Sequence, residues 1–253
     1  MEKGNRKLVA ALACRNQGSR LYGKPLQNLD VENGIRVIDN IIDGLKEIES
    51  IDSIVLAISE GEENKAFIKI AEEKSLEYIV GDEKDVLLRL ILACRKSKGT
   101  DVFRVTSESP FLYFNAVNKA WDKHCKNSND GTFYDEIIDG CGFEIIKLES
   151  LELSHKKGES RHRSEMCTLF IRENPKIFKI KRIKAPIHLN RKDLRLTVDN
   201  PEDLVICRKI FEKFCDQAPK INLEDIINFL DQNKSLKSLI YPFTEKGYKT
   251  MYI

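Results

Sequence analysis

The sequence predicts an α/β fold with a mainly parallel sheet flanked by helices. Short β-rich runs alternate with amphipathic helical patterns along the first half of the chain, which is typical of βαβ units. The first apolar run ends in a loop rich in small residues, and polar residues follow later runs directly. Parallel α/β sheets collect functional side chains at such strand ends.

The composition fits one large domain with a small addition. The chain has 253 residues, 42% of them hydrophobic and 32% charged, which is enough to bury a sizeable core. A formal net charge of +2 gives no reason to expect nucleic-acid binding. The sequence has no apolar stretch of membrane-spanning length, and MEKGNRK leads directly into the first strand. We therefore expect a cytoplasmic protein without a membrane partner.

The cysteines agree with a cytoplasmic setting. There are seven, scattered and without a CxxC pair, a pattern that predicts reduced thiols. Cys14 lies next to Arg15 and leaves a catalytic cysteine open, although a cysteine at a strand end is more often a small core residue.

The first half of the chain is read as four strand–helix pairs. The strands are predicted over Leu8–Leu12, Ser53–Ile58, Glu77–Val80 and Val102–Val105. The helices are predicted over Ile35–Ile48, Glu63–Lys74, Val86–Ser97 and Phe114–Lys126.

The second half is less regular. Residues 127–175 hold a strand-like run at Gly142–Lys147 and polar segments in which we expect substrate-specific loops. Two more strands are predicted over Ile177–Ile187 and Leu194–Val198, followed by a helix over Pro201–Phe214 with Asn200 as its cap. The domain is expected to span residues 1–218. Residues 219–253 are expected to form a helical extension that packs on the domain or on a dimer partner.

The loop after the first strand is suited to a polyphosphate. In CRNQGSRLYGKPL, Gly18 and Ser19 would let backbone N–H groups approach an anion. Arg15, Arg20 and Lys24 add three positive charges, which would offset the charge of several phosphate groups. We therefore predict a phosphate-binding loop.

Two carboxylates are expected at the same edge of the sheet. Glu108 follows a strand in FRVTSESP, and Asp199 lies between a strand and a helix in LRLTVDNPEDL. Together they could hold Mg²⁺, which prefers oxygen ligands and shares them with substrate phosphates. Plainer explanations are a helix cap for Asp199 and an exposed turn for Glu108.

In this order the motifs resemble the cytidylyltransferases that activate acidic sugars such as Kdo and sialic acids, especially the spore-coat polysaccharide branch. The resemblance covers most of Leu8–Phe214. The first loop is similar to A-R-x-x-S-x-R-L-x-G-K-P-L, GDEKDVLLR to G-x-x-x-D-V-L-x-R, RVTSESP to R-V-T-G-D-C-P, and LRLTVDNPEDL to L-R-L-T-V-D-T-P-E-D-L.

The resemblance implies a Rossmann-like nucleotidyltransferase fold of the nucleotide-diphospho-sugar transferase type. It implies an enzyme, often a homodimer, that transfers CMP from MgCTP to a small acidic acceptor and releases pyrophosphate. Phosphate binding is implied for Arg15, Ser19, Arg20 and Lys24, with Arg15 and Lys24 as the catalytic cations, and Mg²⁺ binding for Glu108 and Asp199. Nucleotide binding is also implied for Thr106, Asp85 and Arg89, although a local pair at a helix start explains the last two equally well.

Departures from the family pattern concern the metal and the acceptor. Ser107-Glu108 replaces Gly-Asp, Gly142 stands where an Asp is common, and Met166 replaces a histidine. Acceptor binding is assigned to Glu144, Arg163 and Glu165, with a solvated basic loop as the plainer reading of Arg163. These departures leave three alternatives open: another nucleoside triphosphate, a phosphate or phosphonate acceptor, or a nucleotide-binding regulator without catalysis.

Overall fold

A seven-stranded sheet between two layers of helices forms the centre of the protein, and the predicted fold class is confirmed. The computed structural model describes residues 6–18 and 20–250, except for the side chains of residues 246 and 248–250. The main sheet contains β1 (Leu8–Cys14), β4 (Ile51–Ser59), β5 (Glu77–Gly81), β6 (Asp101–Thr106), β7 (Gly131–Tyr134), β8 (Phe143–Lys147) and β9 (Ile180–Arg182). A small hairpin is formed by β2 (Asn28–Asp30) and β3 (Ile35–Arg36).

The helices follow the strands as βαβ units require. They are α1 (Val37–Lys46), α2 (Lys65–Glu73), α3 (Val86–Lys96), α4 (Val117–Lys126), α5 (Leu148–Lys157), α6 (Leu169–Glu173), α7 (Pro201–Lys213), α8 (Leu223–Gln232) and α9 (Lys234–Thr250). None of these described helices combines the length and apolarity needed to cross a bilayer.

The strand order brings distant segments to one edge of the sheet. It is β5-β4-β1-β6-β8-β7-β9, with β1 parallel to both β4 and β6. Strand β8 runs antiparallel to β6 and β7. The carboxyl ends of β1, β6 and β7 therefore meet the amino end of β8, so side chains from four strands can share one site.

Strand β1 lies at the centre of the core. Leu8, Ala10 and Leu12 pack on the face covered by α1, α4 and α7, while Val9 and Ala11 pack on the face covered by α3, α5 and α6. Burial of both faces explains why β1 reads as a continuous apolar run.

Some predicted boundaries are wrong for local reasons. The helix predicted from Ile35 begins at Val37, because Ile35 and Arg36 pair with β2. The strand predicted over Ile177–Ile187 is limited to Ile180–Arg182. The strand predicted over Leu194–Val198 is an extended segment with a single bridge, from Arg195 to Asp139.

Hydrogen bonds to two loops explain the missing strand. The N–H of Leu196 donates to the carbonyl of Asp139 at 2.7 Å, and the N–H of Val198 donates to the carbonyl of Glu108 at 2.8 Å. The segment thereby joins two loops at the functional edge of the sheet instead of extending the sheet.

The C-terminal helices share the core of the α/β domain. Ile226, Leu230 and Ile240 are fully buried in the same cluster as β1. Arg191 also forms paired hydrogen bonds with Asp231 of α8, at 2.7 and 2.8 Å. Apolar packing and ion pairing thus hold α8 and α9 against the domain.

Candidate active site

A cavity of about 990 Å³ opens at the edge where the four strand ends meet. Its volume lies near the top of the range of roughly 300–1,000 Å³ that is usual for small-molecule sites. Its walls come from the loop after β1, the ends of β6 and β7, the start of β8, residues 165–166, residues 195–200 and helix α9.

The predicted phosphate loop forms one wall of this cavity. Arg15, Arg20 and Lys24 all line it. A Cβ atom on Gly18 would lie 2.6 Å from the carbonyl oxygen of Leu21 and 3.2 Å from Cε of Lys24, so the loop folds too tightly for a side chain there. Ser19, which was predicted to bind phosphate, lies outside the described residues.

Three cationic side chains form ion pairs with Asp199. Its Oδ1 lies 2.6 Å from Nζ of Lys24 and 3.2 Å from a guanidinium nitrogen of Arg20, and its Oδ2 pairs with Arg195. Burial alone would raise the pKa of Asp199, but the hydrogen bond and charge of Lys24, with the charges of Arg195 and Arg20, hold that pKa below its ordinary value. Asp199 is thus an anion facing two of the predicted phosphate-binding cations.

Helix capping does not account for Asp199. The cap of α7 is built by Asn200 and Asp203, because the Asp203 carboxylate accepts from the backbone N–H of Asn200 at 2.8 Å. Asp203 also accepts from the backbone N–H of Asp199 at 3.0 Å. The side chain of Asp199 is therefore left to the cavity.

Glu108 lies beside Asp199 in a different electrostatic state. It is partly buried, accepts from Ser107 Oγ at 3.3 Å, and forms no ion pair with any residue that the structure describes. Burial raises its pKa; the charge of Lys24 opposes this shift, and that of Asp199 adds to it. Because it is not exposed, the plain turn reading is unsuited to Glu108.

The two carboxylates suit a hard divalent cation. Both offer oxygen ligands at one end of the cavity, and Glu108 lacks a positive partner in the described structure. The described residues contain no group of three or more His, Cys, Asp or Glu side chains that could hold a metal. Mg²⁺ is compatible with such a sparse protein set, since it commonly takes one or two carboxylates and completes its shell with phosphates and water.

The Thr106 hydroxyl begins a chain of hydrogen bonds between the end of β6 and the segment that carries Asp199. This hydroxyl lies 3.1 Å from that of Ser109, which in turn donates to Thr197 Oγ1 at 3.2 Å. This chain fixes the end of β6 against the segment that carries Asp199. Thr106 lines the cavity, as the prediction of a nucleotide contact requires.

Another part of the cavity wall contains an arginine–glutamate cluster. Glu144 of β8 accepts from Arg172 at 2.6 Å and from Thr168 at 3.0 Å, and it pairs with Arg104 at 3.2 Å. Burial would raise the pKa of Glu144, but the charges of Arg104 and Arg172 hold it below its ordinary value. Glu144 therefore acts first as an anchor that orients two arginines.

Arg104 is a cavity residue that the sequence analysis missed. It lies opposite Glu144 in the register of β6 and β8, and it donates to the backbone carbonyl of Glu165 at 2.8 Å. The Glu165 carboxylate pairs with Arg15. A sequence signal for Arg104 existed, since it precedes Thr106 by two residues and shares its strand face.

Two predicted site residues lie away from the cavity lining. Asp85 caps α3, accepting from the backbone N–H of Leu88 at 2.8 Å, and it contacts His155 at 2.8 Å. Arg163 donates to the carbonyl of His155 at 3.2 Å. Neither belongs to the set that lines the cavity, because both side chains serve the packing of α3 against α5.

The structure places Arg89 in the cavity lining and Cys14 in the core, which is one of the two readings left open for each residue. Arg89 lines the cavity and donates to the backbone carbonyls of Asp82 and Glu83, at 2.7 and 3.0 Å, instead of pairing with Asp85. Cys14 is fully buried, and burial raises its thiol pKa well above the ordinary value. A buried neutral thiol is unsuited to nucleophilic catalysis.

The comparison with known families shows that the chain is a nucleotidyltransferase. A family model of cytidylyltransferases matches residues 10–242, and the chain belongs to that family. The resemblance found in the motifs is thereby confirmed.

Two curated proteins and one solved structure are similar to this chain over most of its length. The chain is 27% identical over 244 residues to an uncharacterised protein of Methanocaldococcus jannaschii, covering 96% of this chain and 98% of that one. It is 22% identical over 231 residues to the spore coat polysaccharide biosynthesis protein SpsF of Bacillus subtilis, covering 89% and 95%. A solved cytidylyltransferase from Leptospira borgpetersenii superposes with a TM-score of 0.82 at 18% identity, covering 92% of this chain and 97% of that one, and shares the fold.

Proposed function

We propose that the protein transfers CMP from MgCTP to an acidic sugar, of the nonulosonic acid or Kdo type, and releases pyrophosphate. The observation that carries the proposal is the convergence of Arg15, Arg20 and Lys24 with Glu108 and Asp199 in one cavity. Membership of the cytidylyltransferase family supports CTP as the donor. The similarity to a spore coat polysaccharide biosynthesis protein supports a role in surface polysaccharide or glycoconjugate synthesis.

The proposed reaction needs no covalent enzyme intermediate. An acceptor oxygen attacks the α-phosphorus of CTP, a new P–O bond forms, and the bond to the pyrophosphate oxygen breaks. Lys24 and Arg20, which pair with Asp199 in the structure, are placed to exchange this carboxylate for phosphate oxygens. Fixed cations of this kind stabilise the charge that develops in the transition state without reorganising.

The carboxylates Glu108 and Asp199 would hold Mg²⁺. A bound magnesium ion supplies neutralisation of phosphate charge and helps to align the triphosphate. Glu108 suits this role because it has no positive partner among the described residues. Asp199 suits it because its neighbours keep it ionised.

We assign the acceptor to the part of the cavity lined by β6 and β8. Arg104, held by Glu144, offers a guanidinium group suited to a carboxylate. Glu165 lines the same side and pairs with Arg15, so it connects the acceptor end to the phosphate end. We retain Glu144 and Glu165 in the proposed acceptor site and replace Arg163 with Arg104.

The test is pyrophosphate release in the presence of Mg²⁺, with each common ribonucleoside triphosphate and a panel of acceptors. The panel includes nonulosonic acids, Kdo, sugar phosphates and phosphonates. We expect release with CTP and an acidic sugar. Release with another triphosphate or with a phosphonate would identify that compound as the substrate instead. Nucleotide binding without turnover would favour a regulator.

Lys24→Ala provides the decisive variant. It removes a cation that should contact the triphosphate, and we expect turnover to fall about 100-fold or more. Lys65→Ala is the matched control, since Lys65 is 63% exposed and pairs with Glu62 away from the cavity. Equal rates in the two folded variants would contradict the proposed phosphate site.

Two further parts of the proposal concern assembly and location. The family resemblance implies a homodimer, and light scattering tests this by measuring the molar mass of the protein in solution. A cytoplasmic location is supported by seven cysteines that are all free thiols, six of them buried. Localisation of a fluorescently tagged copy tests it.

A further inference from the structure

Helix α9 contributes a wall to the cavity. Pro242, Phe243 and Gly247 all line it, although Phe243 and Gly247 lie beyond the residues matched by the family model. Ile240 and Thr244 are buried, and the spacing of residues 240, 243, 244 and 247 places them on one face of the helix. This inward face packs on the core at one end and borders the cavity at the other.

The helix approaches the cavity closely at Gly247. A Cβ atom on Gly247 would lie 2.6 Å from Oδ2 of Asp139 and would also collide with Arg195. These two side chains form an ion pair of 2.6 Å. The backbone of α9 therefore rests directly on a buried ion pair, and a larger residue would force the helix away.

The same arginine connects α9 to the phosphate end of the site. Arg195 also pairs with Asp199, which pairs with Lys24. At the start of α9, Lys237 pairs with Asp193 and, at 3.2 Å, with Asp231 of α8. The helix is thus held at Lys237 and at Gly247, and Phe243 lines the cavity between these two positions.

The cavity wall formed by α9 differs chemically from the phosphate end. Its lining residues are a proline, a phenylalanine and a glycine, whereas the phosphate loop supplies two arginines and a lysine. A triphosphate chain gains nothing from an apolar wall, and the nucleotide contacts implied by the family resemblance, Thr106 and Arg89, lie on β6 and α3 and not on α9. The C–H face or an apolar substituent of a sugar does gain from such a wall, because contact with an aromatic ring removes apolar surface from water.

We propose that α9 forms the apolar side of the acceptor site and that Phe243 is its contact residue. The inference rests on the proposed function, because it assigns the acceptor of that reaction to this wall. It makes Phe243 a determinant of acceptor choice on a different element from the groups that bind the nucleotide.

Phe243→Ala tests the proposal through steady-state kinetics. We expect the KM for the acceptor to rise about tenfold, with the KM for CTP within about twofold of wild type. Tyr241→Ala is the matched control, because Tyr241 is an aromatic residue of the same helix that is 71% exposed and lies outside the cavity. Its two KM values should equal those of wild type.

Two results would overturn the proposal. One is an unchanged acceptor KM in Phe243→Ala, and the other is an equal rise in the KM for CTP. If Phe243→Ala does not fold, Phe243→Leu keeps an apolar side chain, and we expect an acceptor KM about threefold above wild type with an unchanged thermal midpoint. An unchanged acceptor KM in this variant also overturns it.

Failure of this inference and failure of the proposed function give different results. Wild-type protein that releases no pyrophosphate with any acceptor refutes the function. The wall is then tested with CTP alone by calorimetry. A Kd for Phe243→Ala within about twofold of wild type supports a wall remote from the nucleotide, and a tenfold loss of affinity overturns it.

Discussion

Replacing Arg195 with methionine removes the charge on which the centre of the site depends. Arg195 is 3% exposed and contacts Asp139 at 2.6 Å, Asp203 at 3.3 Å, and Asp199. Methionine fills much of the same volume but leaves these carboxylates without their shared cation. Removing one partner of a buried ion pair typically costs about 3–5 kcal/mol, because the remaining charge is buried without compensation.

This cost translates into a measurable melting shift. For a chain of this size each kcal/mol lowers the thermal midpoint by about 2–4 °C, so Arg195→Met should melt roughly 6–20 °C below wild type. Arg161→Met is the matched control, since Arg161 also pairs with two carboxylates but is 52% exposed. Exposed ion pairs add little to stability because water and salt screen them, so this control should melt within a few degrees of wild type.

The penalty should also depend on pH. Burial already raises the pKa of Asp139, and the charge of Arg195 opposes that shift. Without Arg195 the folded-state pKa of Asp139 rises further above its unfolded value, so the folded protein binds a proton more readily. The melting deficit should therefore shrink as the pH falls from 8 to 5. A deficit no larger than that of Arg161→Met, or one that grows in acid, would refute this account of the cluster.

Two further predictions concern acid stability and metal dependence. Burial lowers the pKa of His124 below its ordinary value of 6.5, so the unfolded state binds the proton first and stability falls as the pH drops below about 6.5. His124→Gln should flatten the dependence of the thermal midpoint on pH in that range, and an unchanged slope would argue against a neutral buried histidine. Glu108→Asp shortens a proposed ligand by one methylene, so the Mg²⁺ concentration for half-maximal rate should shift at least about threefold, whereas an unchanged titration would assign Glu108 to the turn alone.

The phosphate end of the site could be predicted because its residues lie in continuous motifs. Lys24 and Asp199 each follow a strand-like segment, and polar residues at such places in a parallel sheet meet at one edge. Asp199 lines the cavity at that edge even though Leu194–Val198 is not a strand, since that segment is hydrogen-bonded to the loops at Asp139 and Glu108. The predicted strand Leu194–Val198 is therefore absent, but Asp199 still lies at the edge of the sheet where the cavity opens.

The acceptor end was much harder to predict from sequence. Arg104 reaches the cavity because β8 runs antiparallel beside β6 and places Glu144 opposite it. No local pattern fixes that pairing, and no local pattern places Phe243 at the cavity. Arg163 was predicted to bind the acceptor because it lies in a basic segment, but its guanidinium donates to the carbonyl of His155.

This difference has a physical consequence for how such enzymes can change acceptor. The cations of the phosphate loop and Asp199 are coupled through ion pairs, so altering one of them disturbs the others. Phe243 contacts the cavity from a helix whose anchors, Lys237 and Gly247, lie elsewhere along its length. A substitution at Phe243 is therefore expected to change the proposed acceptor side while the charged cluster stays intact, which would separate the choice of acceptor from the chemistry of transfer.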